Sequence, residues 1–85
     1  MELKANLLKL ANEWIIAQVE PVEGDTLTGD PDVWLVEPYL VDYEGQLCPW
    51  AEHSSEREFN VRSSDITIVT TPSKQLLARY IECLE

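Results

Sequence analysis

Residues 66–71 (ITIVTT) most constrain the fold, because six consecutive residues are β-branched. Two heavy substituents on Cβ crowd a helix and suit a pleated sheet. Just upstream, residues 59–62 (FNVR) alternate apolar and polar side chains, as a strand with one buried face does. Residues 63–65 (SSD) favour a turn, since their side chains bond back to nearby backbone. The sequence therefore predicts a strand, a polar corner and a second strand, with Arg62 just before the corner.

Three earlier segments are predicted to add strands to the same sheet. Residues 14–20 (WIIAQVE) alternate and end at Pro21, which terminates a strand or places it at an edge. Residues 33–41 (VWLVEPYLV) are apolar on both faces and too short for most helices, which predicts a buried strand kinked or bulged at Pro38. Residues 46–51 (QLCPWA) predict one more short strand.

The first ten residues are ambiguous. Leu3, Leu7 and Leu10 fall at helical spacing, and Ala, Leu and Lys favour helix. However, Leu8 and Leu10 on either side of Lys9 also suit a short strand followed by a turn at 11–13. Periodicity alone slightly favours the helix.

A helix is predicted at the end of the chain, over residues 73–84. Thr71 or Ser73 can cap it, and Pro72 is tolerated near its first turn. One apolar stripe runs along it, formed by Leu76, Leu77, Tyr80, Ile81 and Leu84. Five or six short strands and one helix in 85 residues predict a single domain over 1–85, a small and strongly bent barrel or sandwich. The helix is expected to pack across the sheet.

Charge is the most unusual property of the composition. The net charge is −10, and between Glu13 and Glu58 twelve acidic residues accompany one basic residue, Arg57. Such a field repels nucleic acid unless a local cationic patch overcomes it. The acidic residues form either a solvated surface or a surface that attracts a cationic partner protein.

Metal binding and catalysis are not indicated. Residues 22–32 (VEGDTLTGDPD) carry four carboxylates, but their spacing does not match a calcium-binding loop. His53 follows Cys48 by five residues without a further thiol or imidazole to complete a zinc set, so we expect an exposed loop histidine. There is no nucleophile elbow and no glycine-rich phosphate loop. We expect a protein without cofactor or enzymatic activity.

The expected location is the cytoplasm. No apolar run approaches the about 18 residues needed to span a bilayer. The first ten residues lack a small-residue cleavage site and resemble a signal peptide poorly. Cys48 and Cys83 have no CxxC partner, which favours two free thiols in a reducing compartment over a disulfide.

Two short patterns resemble the signatures of Sm-like (LSm) proteins. Residues 61–66 (VRSSDI) are similar to the second signature, an aliphatic residue, Arg, Gly, any residue, Asn and an aliphatic residue, with Ser63 in place of Gly and Asp65 in place of Asn. Residues 8–19 are similar to the first signature, a strand, a turn and a strand. With the Pro-Trp pair at 49–50 and the terminal proline and helix, the chain looks most like Sm-like proteins encoded by cyanophages.

The resemblance implies a small, strongly bent SH3-type antiparallel barrel, with strands over 7–71 and a helix over 73–84. It also shifts the expectation for residues 7–10 from helix to strand. Family members join edge to edge into a ring of roughly five to seven subunits. The implied subunit interface lies on the strands around the corner, at Phe59, Val61, Ile66 and Ile68. Pairing these edges would cover exposed strands and enlarge a small core.

The resemblance leaves two functions open. In the first, the ring binds single-stranded RNA, and Arg62 and Asp65 occupy the positions that contact a nucleotide near the pore in the family. Asp65 places an anion where a neutral amide usually lies. The structural alternative is that Arg62 simply pairs with Asp65 or caps backbone carbonyls at the corner. In the second, the acidic ring is a protein-binding or phage-assembly module in the host cytoplasm that attracts a cationic protein.

Overall fold

The computed structural model describes residues 4–24 and 27–85. It contains six strands, a 3₁₀ turn and one helix, in the order β1 (Asn6–Leu10), β2 (Glu13–Pro21), β3 (Val33–Val41), β4 (Leu47–Pro49), β5 (Glu58–Val61), the 3₁₀ turn (Ser63–Asp65), β6 (Ile66–Thr70) and α1 (Lys74–Leu84). The prediction of an all-β domain with a C-terminal helix is confirmed. The helix that periodicity favours near the N-terminus is wrong from Asn6 onward, where β1 forms, and the strand that the resemblance implies for residues 7–10 is confirmed. Leu3, one of its spaced leucines, lies outside the described residues.

All strand pairs are antiparallel. The sheet order is β4-β3-β2-β1-β6, and β5 pairs with the first half of β3 while β4 pairs with its second half. The strands β5 and β6 therefore lie at opposite ends of the sheet although only the 3₁₀ turn separates them in the chain. Over residues 4–24 and 27–85 the sheet bends without closing, so the expected closure into a barrel is not found in this part of the chain.

A β-bulge bends the middle of the sheet. The register between β2 and β3 shifts so that Ala17 faces both Glu37 and Pro38. Glu37 adopts a left-handed φ of 51°, and Pro38 is buried. The predicted irregularity at Pro38 is thus confirmed, and the small fully buried Ala17 leaves room for the bend.

The sheet has an apolar cluster on each face. The inner cluster is built on four fully buried side chains, Leu8, Ile15, Ala17 and Leu35. The outer cluster joins Ile16 of β2 to Leu76 and Tyr80 of α1. The helix therefore packs across the sheet as predicted, and Ser73 is its N-cap, with its hydroxyl accepting a hydrogen bond of 3.2 Å from the Leu76 N–H.

Among the described residues, no helix combines the length and apolar character needed to cross a membrane. Cys48 and Cys83 are both free, as predicted, and both are exposed.

Candidate functional site at the β5–β6 corner

The corner places Arg62 between the end of β5 and the 3₁₀ turn. Its Nε lies 2.9 Å from Oδ2 of Asp65, three residues further along the turn. Both side chains are about half exposed, at 51% and 49%. The two residues predicted to contact RNA are therefore brought together, but as an ion pair. A ligand that used the Arg62 guanidinium would compete with the Asp65 carboxylate for it.

Asp32, at the end of the acidic loop, fixes the backbone of the same corner. Its two carboxylate oxygens accept hydrogen bonds from the Ser63 N–H at 2.6 Å and from the Ser63 hydroxyl at 2.7 Å. These bonds, the hydroxyl's first, lower the pKa of Asp32 below its ordinary value. Of the four carboxylates in residues 22–32, Asp32 thus holds the turn, and Asp25 lies outside the described residues.

A groove of about 610 Å³ runs along the corner. Polar and apolar residues share its lining, which is formed by Leu10, Ala11, Pro31, Asn60, Val61, Arg62, Ser64, Asp65 and Thr67. A smaller hollow of about 320 Å³ adjoins Arg62 on its other side and includes Asp30 and the exposed Leu27. The charge around Arg62 is therefore acidic on balance, which disfavours a polyanion at a single subunit.

The strand that follows the corner is open to solvent. Ile68 is 40% and Val69 59% exposed on β6. Val69 lies directly opposite the buried Leu8 of β1, and directly opposed residues project to the same face of a sheet. Val69 thus projects to the core side of the sheet and remains exposed because, among the described residues, no further strand lies beyond β6.

The other residues predicted at the subunit interface contribute to the core. Val61 and Ile66 pack against the inner cluster. Phe59 lies edge-on against Trp50, with ring centroids 5.5 Å apart. Of the four, Ile68 alone is classed among the exposed large apolar side chains.

Sequence reasoning missed two exposed apolar residues, Val69 and Trp34. Trp34 is 36% exposed on β3. Residues 33–41 are apolar on both faces, so alternation could not show which face of β3 lacks cover. The exposure of Val69 could not be predicted for a similar reason: every residue of β6 is β-branched, so no alternation distinguishes its two faces.

His53 is exposed in the connection between β4 and β5. Within residues 4–24 and 27–85, no three His, Cys, Asp or Glu side chains are grouped as metal ligands. The displaced pKa values instead belong to groups with structural contacts: Asp32 in the corner, and Tyr39 and Tyr80 under the helix, where burial raises the pKa of both phenols.

Comparison with protein families gives a match over residues 1–85 to the family described as "Family of unknown function (DUF6561)". No curated protein matches the chain.

Proposed function

Because the chain belongs to the family of unknown function DUF6561, its role must be inferred from its own geometry, and we propose that it is a non-enzymatic assembly module. Copies of the chain would join edge to edge, β5 of one against β6 of the next, into an Sm-like ring. The sheet would then close around the ring instead of within the chain.

Val69 carries this proposal. An apolar side chain on the core side of a sheet, 59% exposed at an open edge, is a surface that a further strand would cover. The edge of β6 also lacks the usual protections against pairing, since residues 66–70 (ITIVT) contain neither a charge nor a proline.

In the described part of the chain β5 pairs on one side only, with β3, and its other edge supplies a matching partner. It lies at the other end of the sheet order, beyond β3. A heterologous contact between two different edges of identical subunits generates a ring when its rotation closes. The 3₁₀ turn would then repeat around the ring and bring one Arg62 per subunit toward its centre.

The proposal is tested by the oligomeric state of the chain. Sedimentation velocity at micromolar concentration should show a discrete oligomer, which Val69→Lys should shift toward the monomer. Tyr43→Lys is the matched control, because Tyr43 is fully exposed in the β3–β4 turn and the change adds the same charge. A wild-type monomer at these concentrations would rule out the ring.

Binding of single-stranded RNA is the second candidate, and the groove beside Arg62 favours it. Asn60, Arg62 and Ser64 offer hydrogen-bonding side chains there. A ring would repeat the arginine, and multiple weak phosphate contacts would add up. Asp65 opposes RNA binding, because its carboxylate pairs with the Arg62 guanidinium in each subunit.

Asp65→Asn is therefore the informative variant for RNA. It frees Arg62 and should raise the affinity for a labelled oligouridine at low salt, while Arg62→Ala should abolish binding. Glu44→Gln, in the β3–β4 turn, removes the same charge away from the corner and should have little effect. Equal affinities for Asp65→Asn and Glu44→Gln would exclude the corner as the binding site.

A further inference from the structure

An uncovered part of the outer sheet face forms a groove of about 500 Å³ lined by Trp34, Glu37, Glu56, Arg57 and Glu58. It lies at the start of β3, whereas the corner groove is lined by a different set of residues. Trp34 is 36% exposed there, although it is a large apolar side chain on a strand with a neighbouring strand on each side.

The neighbours of Trp34 on the two adjacent strands are polar. It is directly opposite Glu20 of β2 and Asn60 of β5. Glu58 lies opposite Val36, two residues along β3, and so projects to the same face as Trp34. Trp34 therefore has Glu20 directly opposite it on β2, and Glu58 placed diagonally to it on β5.

The single arginine in the groove is already engaged. Arg57 donates hydrogen bonds to the backbone carbonyls of Trp50 at 3.0 Å and Pro38 at 2.7 Å. Its Nε lies 3.5 Å from the Glu37 carboxylate. Glu37 is thus partly neutralised, whereas Glu56 and Glu58 are exposed and have no ion-pair partner among the described residues.

We propose that this groove is a docking site for a partner peptide that carries arginine side chains. A guanidinium stacks on the face of a tryptophan and pairs with nearby carboxylates at the same time. The acidic central part of the chain, from Glu13 to Glu58, would attract such a peptide and increase its rate of encounter. This inference specifies the partner of the proposed assembly module but does not require that the ring form.

Arginine suits the site better than lysine, because its planar group can stack and form two hydrogen bonds together. The occupant is a peptide and not a nucleic acid, because the exposed carboxylates beside Trp34 would repel phosphates. A second copy of this chain is also disfavoured, since its net charge of −10 opposes an acidic surface.

The test is titration of the 85-residue chain with a peptide of four Arg-Gly repeats at low salt. Tryptophan fluorescence and calorimetry should both report binding. A peptide with four Lys-Gly repeats should bind severalfold more weakly, and one with four Gln-Gly repeats should not bind.

Variants locate the peptide. Trp34→Ala and Glu58→Gln should each weaken binding about two- to fivefold, since an exposed cation–π or charge contact contributes about 0.5–1 kcal/mol. Glu44→Gln is the matched control for charge, being exposed in the β3–β4 turn at the far end of β3. Equal affinities for Glu58→Gln and Glu44→Gln would overturn the proposal and leave only diffuse attraction to an acidic surface.

Sedimentation velocity on the same variants separates this inference from the ring. Trp34→Ala should retain the oligomeric state of the wild type while binding the peptide more weakly. If Trp34→Ala instead dissociates the oligomer, the groove is covered by a second copy and the docking proposal is wrong. A wild-type monomer that binds the peptide would reject the ring and keep the docking site.

Discussion

Arg57 connects three parts of the bent sheet. Its guanidinium bonds to the carbonyl of Pro38 in the bulge and to that of Trp50 after β4, while its backbone carbonyl accepts a bond of 2.8 Å from the Glu37 N–H. The side chain also lies 5.8 Å from the Tyr39 ring and 5.9 Å from the Phe59 ring. Arg57, the one basic residue between Glu13 and Glu58, thus stabilises the bent sheet.

We predict that Arg57→Ala lowers the free energy of unfolding by about 2 kcal/mol, because hydrogen bonds from a charged donor contribute roughly 1.5–3 kcal/mol. Urea denaturation at one fixed protein concentration measures the change. Lys74→Ala, which removes an exposed cation in the first turn of α1, should stay within about 0.5 kcal/mol of the wild type. If the two variants unfold at the same urea concentration, Arg57 does not hold the bend.

Tyr80 of α1 also contacts the bulge. Its ring is fully buried, and its hydroxyl lies 2.9 Å from the Glu37 carbonyl and 3.4 Å from the Gln18 side-chain amide. Burial raises its pKa above the ordinary value of 10.0. In the unfolded chain the phenol therefore ionises at a lower pH than in the folded chain.

Stability from this shift is fully present below pH 10 and is lost as pH rises from there toward the higher pKa of the folded state. We predict that Tyr80→Phe costs about 1 kcal/mol at neutral pH and reduces the alkaline loss of stability. Urea midpoints measured between neutral pH and about pH 11 test this. The exposed Tyr43→Phe should retain the alkaline loss of the wild type; if Tyr80→Phe retains it equally, the buried phenol is not its source.

At the scale of elements, α1 depends on its cap. The Ser73 hydroxyl accepts the Leu76 N–H, and the backbone carbonyl of Ser73 accepts the Leu77 N–H. We predict that Ser73→Ala destabilises the protein by about 1 kcal/mol and that Ser73→Asp retains most of the stability. Thermal unfolding followed by circular dichroism measures both. Ser55→Ala, in an exposed turn, is the control, and equal losses for the two alanine variants would contradict the capping role.

Elements with strong local preferences could be predicted from the sequence. The β-branched run gave β6, Pro38 indicated the bulge in β3, and the apolar stripe before the C-terminus gave α1. Asn6–Leu10 could not be predicted in this way, because its leucines fit a helix locally. Its structure depends on pairing with β2 and with β6, and the latter lies about 60 residues away in the chain.

The candidate site was predictable only in part. The ion pair between Arg62 and Asp65 was anticipated, because the two residues lie three positions apart at a turn. The hydrogen bond that Asp32 accepts from the Ser63 hydroxyl joins residues 31 positions apart, so no local sequence pattern predicts it. The exposure of Trp34 and Val69 depends on which strands end the sheet, and this is a property of the whole topology.

For the molecule as a whole, the net charge and the open sheet edges have opposite effects on association between copies of the chain. The exposed edge of β6 favours association with another copy, whereas a charge of −10 on each subunit opposes it. Salt screens the repulsion, since the Debye length falls from about 10 Å at 0.1 M to about 3 Å at 1 M. Assembly of identical subunits should therefore strengthen as salt increases.

Binding of the arginine peptide should respond in the opposite direction, because screening weakens attraction between unlike charges. We predict that raising sodium chloride from about 0.1 M to about 1 M lowers the dissociation constant of the oligomer and raises that of the peptide complex. Sedimentation equilibrium and calorimetry on one preparation measure the two constants, and sodium acetate at equal ionic strength controls for effects specific to chloride. If both constants rise with salt, the contact between subunits is itself held by unlike charges, and the uncharged edge of β6 cannot be the surface that joins them.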